Sequence, residues 1–256
     1  MSPAVRKALR TLAVLAFWLI VWALAAAAVG TELLLPGPVQ VWQKLCALAG
    51  TKVFWLTLGK SVLRVSTGIL SAAILGVLVG LLTHKSAFAR EILSPVMTLL
   101  KSTPVASFII LALVWLGRGI VPVVIAGLIV LPVVWANTAA GLAAIEPQLL
   151  ELAQVFKLPY VRILRRIVWP SVLPYLRSAL RSALGLGWKA GIAAEVLTVP
   201  PYSIGKGIYD AKLYLETTEL FAWTAAVVLL SFLIEKVLLR LVDGTGRKEP
   251  AHAQAE

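Results

Sequence analysis

"ELAQVFKLPYVRILRRIVWPSVLPYL", residues 151–176, sets Glu151, Lys157, Arg162, Arg165 and Arg166 between two almost unbroken apolar runs, about Ile120 to Leu142 and about Leu176 to Val199. A segment so charged does not cross hydrocarbon, and it is too short to be a domain, so it reads as a loop between membrane spans. Its local signals are those of two short helices meeting at Lys157-Leu158-Pro159. Pro147 suits the first turn of one helix and Pro159 the first turn of the next. In the second, Arg162, Arg165 and Arg166 share one face while Leu164, Ile167 and Val168 share another, and Pro170 is expected to end it. Such a unit either lies on the anionic inner leaflet or projects to dock a cytoplasmic partner.

The composition agrees with a membrane location. Of 256 residues, 60% are hydrophobic and 14% charged, and the mean hydropathy of +0.91 lies far above that of ordinary soluble domains. The net charge of +12 gathers at the ends of apolar runs and forms no basic stripe with interleaved aromatics. It therefore points to lipid headgroups and topology, with no nucleic acid as partner. Cys46 is the only cysteine, and His84 and His252 stand alone, so neither a disulfide framework nor a metal cluster is expected.

Six spans are expected, each needing about 20 apolar residues: Leu12 to Val29, about Leu58 to Leu82, Ile92 to Leu116, Ile120 to Leu142, Leu176 to Val199 and Leu220 to Leu241. The small-residue end of the first imitates a signal peptidase site, but its length and the spans behind it favour a retained helix. Gly76 and Gly80, and again Gly187 and Gly191, stand one turn apart and allow a neighbouring helix to approach closely. The third span is broken at Lys101-Ser102-Thr103-Pro104, because Pro104 cannot donate to the helical ladder. Such breaks are tolerated only where protein or a water-filled cavity satisfies the freed backbone groups. Lys101, Ser102, Thr103 and Pro104 are thus candidates for a pathway lining, with Lys101 alternatively snorkelling to an interface.

Basic residues set the orientation. With the N-terminus inside, Arg6, Lys7, Arg10, Lys85, Arg90 and the run from Lys157 to Arg177 are cytoplasmic, leaving Lys44, Lys52, Arg118, Lys206 and Lys212 outside. The expected organisation is a cytoplasmic N-terminus over 1–11, one transmembrane domain over 12–242 with a cytoplasmic loop at 146–173, and a cytoplasmic tail over 243–256. Residues 200–219 read as an external loop whose aromatic and basic residues contact an external protein or simply face solvent.

Chemistry is not expected of this chain. Gly59-Lys60-Ser61 invites a phosphate-loop reading, but the glycine required five residues earlier is Phe54. No zinc-protease or nucleophile-elbow motif is present. Two charges inside the fifth span, Lys189 and Glu195, each cost at least about 2.5 kcal/mol in hydrocarbon unless paired or hydrated. Six residues apart, they lie about 120° from facing each other, so each needs a partner elsewhere. They are either neutralising charges or stations on a path.

The opening stretch resembles the EAA signature of bacterial ABC importer permeases, EAAxxxG followed about nine residues later by IxLP. Glu151 and Ala153 match, and Ile167-Val168-Trp169-Pro170 falls at the expected spacing. Leu152 replaces the middle alanine, Trp169 the leucine of IxLP, and Lys157 the glycine where the family's chain turns. If that position needs positive φ, lysine costs about 1 kcal/mol or more, so either the turn is remodelled or Pro159 sets it. The "LPGP" of 35–38, "RVSTG" of 64–68, "KSTP" of 101–104, "SVLPYL" of 171–176 and "AAEVL" of 193–197 resemble the nitrate/sulfonate/taurine subfamily in the same order.

The resemblance implies an all-α membrane protein with the type I ABC importer permease fold, in the bacterial cytoplasmic membrane. Glu151, Ala153, Val155, Phe156, Lys157, Leu158, Pro159 and Tyr160 would form the coupling helix, seated in a cleft of a cytoplasmic ABC ATPase dimer. The implied partners are that ATPase, a second permease copy in a homodimer, an extracytoplasmic substrate-binding protein and membrane lipid. ATP and Mg would be bound by the ATPase, with no cofactor in this chain. The cargo would be a small, anionic solute of the sulfonate, nitrate or taurine kind, with Lys189 a positive station on its path. Two other classes remain open here. An ion-gradient-driven secondary transporter, with Lys189 and Glu195 as relay charges, predicts uptake without nucleotide; a scaffold predicts ATPase binding without solute flux.

Overall fold

The computed structural model describes residues 3–244; residues 245–256, most of the expected cytoplasmic tail, lie outside the described residues, as do 1–2. Within them the chain is helical and forms no strand. In order come α1 (Pro3–Val29), α2 (Pro38–Ala49), α3 (Lys52–Lys85), α4 (Ala87–Ser102), α5 (Val105–Trp115), α6 (Val121–Ala143), α7 (Pro147–Val155), α8 (Tyr160–Ile163), a π-helical turn (Leu164–Val168), α9 (Trp169–Thr198), α10 (Ile204–Leu213) and α11 (Thr217–Gly244).

By length and composition α1, α3, α6 and α11 each suffice to cross a bilayer, and α4 with α5 makes a fifth candidate bent by 108°. The 30 residues of α9 are also long enough, but Arg177, Arg181, Lys189 and Glu195 keep it out of that set. Four or five of the six expected spans therefore meet the test, and the sixth rests on α9.

Contacts divide the chain into two compact units. One comprises Val62–Ala194 and residues from Leu230 onward. Its centre is the packing of α3, α6 and α9. A Cβ on Gly76 would lie 2.8 Å from Val134 Cβ, and one on Gly80 2.7 Å from Thr138 Cβ. A Cβ on Gly187 would stand 2.7 Å from Val130 and one on Gly191 2.7 Å from Val65, so both expected glycine pairs permit close helix approach. Gly68 is tighter still, its missing Cβ directed at the Val123 carbonyl. Val65, Val130, Val134 and Ala183 are fully buried there. Ile109 and Ala112 of α5 join Val121 and Ile125 of α6 and Ala190 and Ala194 of α9 in a second apolar cluster.

The other unit comprises residues up to Ser61 and Glu195–Leu229. The segment between α1 and α3 holds α2. Its N-terminus is closed by Gly37 N–H donating to Gln40 Oε1 at 2.6 Å, and Val41 and Leu45 are buried. Trp22 stacks on Phe221 with ring centroids 6.1 Å apart and donates its indole N–H to the Pro36 carbonyl. Lys44 reaches Glu219 at 2.8 Å and Glu216 at 3.2 Å. The hydrogen bond to Glu219 holds the Lys44 ammonium above its ordinary pKa, against the opposing cost of burial.

Residues 200–219 are likewise not all loop, since α10 lies within them. Its two glycines fit close packing, Gly207 against the Trp223 ring and Gly205 against the Glu195 backbone. Pro170, expected to stop a helix, sits inside a continuous one. The turn before it is π-wound, so Trp169 N–H reaches back to the Leu164 carbonyl, and the wider winding accommodates a residue that has no amide to donate.

Gly68→Ala is expected to destabilise by about 2 kcal/mol, because overpacking against backbone forces helices apart. Gly59→Ala, whose Cβ meets nothing within 4 Å, is expected to be neutral or stabilising by about 0.5 kcal/mol. Thermal melting of the two variants in detergent checks this; equal melting would contradict the packing account.

Candidate functional site

The stretch between α6 and α9 is built from its prolines and one turn. Pro147 occupies the first position of α7, where its missing amide costs nothing. At the other end Phe156 N–H bonds the Leu152 carbonyl at 3.0 Å, Lys157 N–H that of Gln154 at 2.9 Å, and Leu158 N–H that of Ala153 at 2.9 Å. This is the Schellman pattern, which requires its penultimate residue in the left-handed region. Lys157 stands there, at φ +46°. Lys157 thus takes the positive φ that a glycine would accept without strain, and Pro159 does not set the turn. Pro159 instead precedes α8, its carbonyl accepting from Arg162 and Ile163 at 2.8 and 3.2 Å.

This turn fixes what the segment shows. Ala153 is buried at 2% exposure, while Val155 and Phe156 are 77% and 70% exposed. Glu151, Lys157, Pro159 and Tyr160 are exposed and Leu158 is half-buried. The Lys85 ammonium lies 5.6 Å from the centroid of the Tyr160 ring and within 3.5 Å of its hydroxyl. Arg165 and Arg166 fall in the π-helical turn, so the expected arginine face does not follow α-helical spacing.

The break at 101–104 is as sharp as expected, and its own hydroxyls close it. The Leu99 carbonyl accepts from Thr103 N–H at 3.1 Å, Thr103 Oγ1 at 2.8 Å and Ser102 Oγ at 3.3 Å. Pro104 precedes the first residue of α5. Lys101 Nζ lies 5.9 Å from the Trp135 ring centroid, and that indole donates to Thr83 Oγ1 at 3.0 Å. Lys101 is thereby held level with the last turn of α3.

Lys189 is exposed, whereas Glu195 is fully buried. Ser61 Oγ donates to Glu195 Oε2 at 2.7 Å and accepts from Ile204 N–H at 2.9 Å. Gly205 N–H donates to the same carboxylate oxygen at 3.3 Å, and Lys206 N–H to Ser203 Oγ at 3.0 Å. The open N-terminus of α10 is thus capped by groups from three places in the chain, with a carboxylate at its positive end. Sequence reading missed Ser61, which had drawn notice only as part of a failed phosphate-loop match. Lys60 beside it lies 4.3 Å from the Tyr202 ring centroid. Val199 and Tyr202, bracketing the two prolines, both have positive φ.

Two substitutions test this geometry. Lys157→Gly relieves a left-handed lysine and is expected to stabilise by about 1 kcal/mol, read as a raised melting temperature. Ser61→Ala strands Ile204 N–H and is expected to cost about 1–3 kcal/mol, read as a lowered one.

Comparison with known proteins places these features. Residues 72–247 match the family described as binding-protein-dependent transport system inner membrane component. The taurine transport system permease protein TauC of Escherichia coli is 28% identical over 263 residues, covering 100% of this chain and 93% of that protein. The nitrate import permease protein NrtB of Synechococcus elongatus is 31% identical over 221 residues, covering 82% of this chain and 78% of that protein. Among solved structures, a bacterial ABC transporter involved in the import of the acidic polysaccharide alginate superposes with a TM-score of 0.61 at 16% identity, covering 95% of this chain and 98% of that one. The inward-facing MetNI methionine ABC transporter gives 0.59 at 18% identity, over 75% of this chain and 94% of that one. At such identities the structural likeness concerns the fold, and the sequence matches carry the function. The chain accordingly belongs to the binding-protein-dependent transport system inner membrane component family: it is a multi-pass permease subunit of an ABC importer, a transport protein that works with a separate ATPase and a substrate-binding protein.

Proposed function

We propose that this permease works as a homodimer in the bacterial cytoplasmic membrane, with six spans per copy and both termini inside, and moves a small anionic solute. The relatives named for taurine and nitrate, together with one named for bicarbonate, support an anionic cargo. ATP and Mg are bound by the ATPase subunits, and this chain holds no cofactor. The ion-gradient and scaffold readings fall away with membership of the family.

Energy enters through Glu151 to Tyr160. The observation that carries this reading is the apolar tip, Val155 and Phe156, held outward by a turn strained at Lys157. An exposed phenylalanine on a rigid turn is costly in water unless a partner covers it, and a cleft in an ATPase surface would do so. Ala153, buried beneath, lets the tip seat on its own loop without a protruding side chain. In the same reading Glu195 is a structural carboxylate that holds α10, while Lys101, Ser102, Thr103, Pro104 and Lys189 are secondary candidates for the pathway.

Phe156→Ala is expected to weaken association with the ATPase about 30-fold, the size of a central interface anchor, and to lower ATP-driven uptake in proportion, with the permease still folded. Titration of the ATPase onto nanodisc-embedded permease measures the first and vesicle uptake the second. Unchanged affinity and uptake would overturn the docking role.

A further inference from the structure

In the unit built on Val62–Ala194, α9 buries two separate stripes. The first, Val172, Leu176, Ala179, Ala183 and Ala190, is apolar; Gly187, which meets α6, borders it, and Gly191, which meets α3, lies about 90° away toward the second. The second runs through half-buried Arg177 and through Leu184 and Trp188, with exposed Arg181 beside them on the same face. At 100° per residue Arg177, Leu184 and Trp188 lie within about 40° of one another and about 120° from the first stripe. Leu184 and Trp188 are 6% and 3% exposed.

This second stripe is chemically one-sided. Arg177 Nε, Arg177 Nη2 and Trp188 Nε1 are shielded from solvent, and none has a hydrogen-bond partner among the described residues. All three are donors. Nε–H and Nη2–H lie side by side on one edge of the guanidinium, the parallel fork that accepts a two-oxygen anion. Among the described residues Arg177 forms no ion pair: α5, α6, residues 62–85 of α3 and residues 169–194 of α9 contain no Asp or Glu, while Glu91, Glu146, Glu151 and Glu235 stand on other elements and Glu195 about 27 Å farther along α9. A buried donor without an acceptor costs about 1–3 kcal/mol, and more when charged, so three on one line of one helix call for an acceptor from outside the chain.

We infer that this stripe is a stretch of the translocation path, on which Arg177 takes the oxyanion group of the cargo side-on through Nε–H and Nη2–H. Trp188 Nε1–H is a second, neutral donor about 16 Å farther along the helix axis. The inference rests on the permease reading above and gives its cargo a binding chemistry: two or more oxygens on one central atom, the feature shared by nitrate, bicarbonate and sulfonates. Arg177 stands two residues beyond Tyr175, which packs against Gly141 two residues from the α7 end of α6, so the fork lies level with that end of α6 along the α9 axis. Lys189 lies about 100° around the helix from Trp188 and is off this line.

The test is oxyanion binding to the full-length chain in nanodiscs, read by thermal melting with nitrate, bicarbonate or taurine, and with chloride as a one-atom control. The oxyanions are expected to raise the melting temperature of the wild type and chloride much less. R177K keeps the charge but loses the fork, and R177Q loses both; apparent affinity is expected to fall about 10- to 100-fold, more for R177Q. W188F, an uncharged change, is expected to weaken binding about fivefold or more and keeps the test decisive should R177Q not fold. Equal shifts in wild type, R177K and W188F, a chloride shift as large as those of the oxyanions, or no shift in the wild type overturns the inference. So does an R177Q chain that binds oxyanions normally but no longer co-purifies with a second copy or the ATPase, since the fork then pairs with a partner carboxylate. ATP-driven uptake by the assembled transporter separates the two levels. Anion uptake unchanged by R177Q contradicts this inference alone, whereas a wild type that moves only uncharged solutes contradicts the anionic cargo as well.

Discussion

A backbone amide or carbonyl without a partner costs several kcal/mol in hydrocarbon, and each irregularity in this chain is shaped by that demand. Just before Pro104, where α4 ends, the Leu99 carbonyl accepts an amide and two hydroxyl donors. Where Pro170 has no amide to give, the preceding turn widens and Trp169 N–H finds the Leu164 carbonyl. Where α10 begins, Ser61, Glu195 and Ser203 receive the amides that a helix start leaves open. The buried carboxylate of Glu195 is thus understandable without chemistry: at the positive end of α10 it accepts the Gly205 amide and the Ser61 hydroxyl, which replace part of its hydration.

Close packing is the second demand, and it follows from the first. Lipid offers no hydrophobic drive for helices to associate, so contact area and close approach have to supply it. The stripe of Gly68, Ala72, Gly76 and Gly80 on α3 gives α6 that approach, and Gly187 and Gly191 give it to α9. The Gly76/Gly80 and Gly187/Gly191 pairs were legible in the sequence because each stands one turn apart on one face. The broken third span was legible for the same reason, since a proline acts on its own helix whatever surrounds it.

What the sequence concealed depends on residues far apart. Helices α2 and α10 are short and only half apolar, and Gly205 and Gly207 give no sign in sequence of their contacts with Glu195 and Trp223. Pro170 read as a stop because a π-helical turn leaves no signature in residue type. Ser61 gave no sign of serving Glu195, 134 residues away in the chain. The proposed docking segment, residues 151–160, was legible only through its motif. Its turn needed coordinates, since neither motif nor propensity says whether a lysine will accept a left-handed backbone or force another turn.

That the lysine accepts it is the point on which the account of energy input turns. About 1–2 kcal/mol of backbone strain at Lys157 is retained in a turn that leaves Val155 and Phe156 facing outward and Ala153 buried. The account requires a partner surface to cover that tip. The direct measurement is modification of a single cysteine at Phe156 by a membrane-impermeant maleimide, in a chain whose exposed native cysteine has been removed by Cys46→Ala. Labelling in inside-out vesicles that is rapid for the permease alone and strongly suppressed once the ATPase is bound is the predicted result. Labelling at the same rate with and without the ATPase would contradict it.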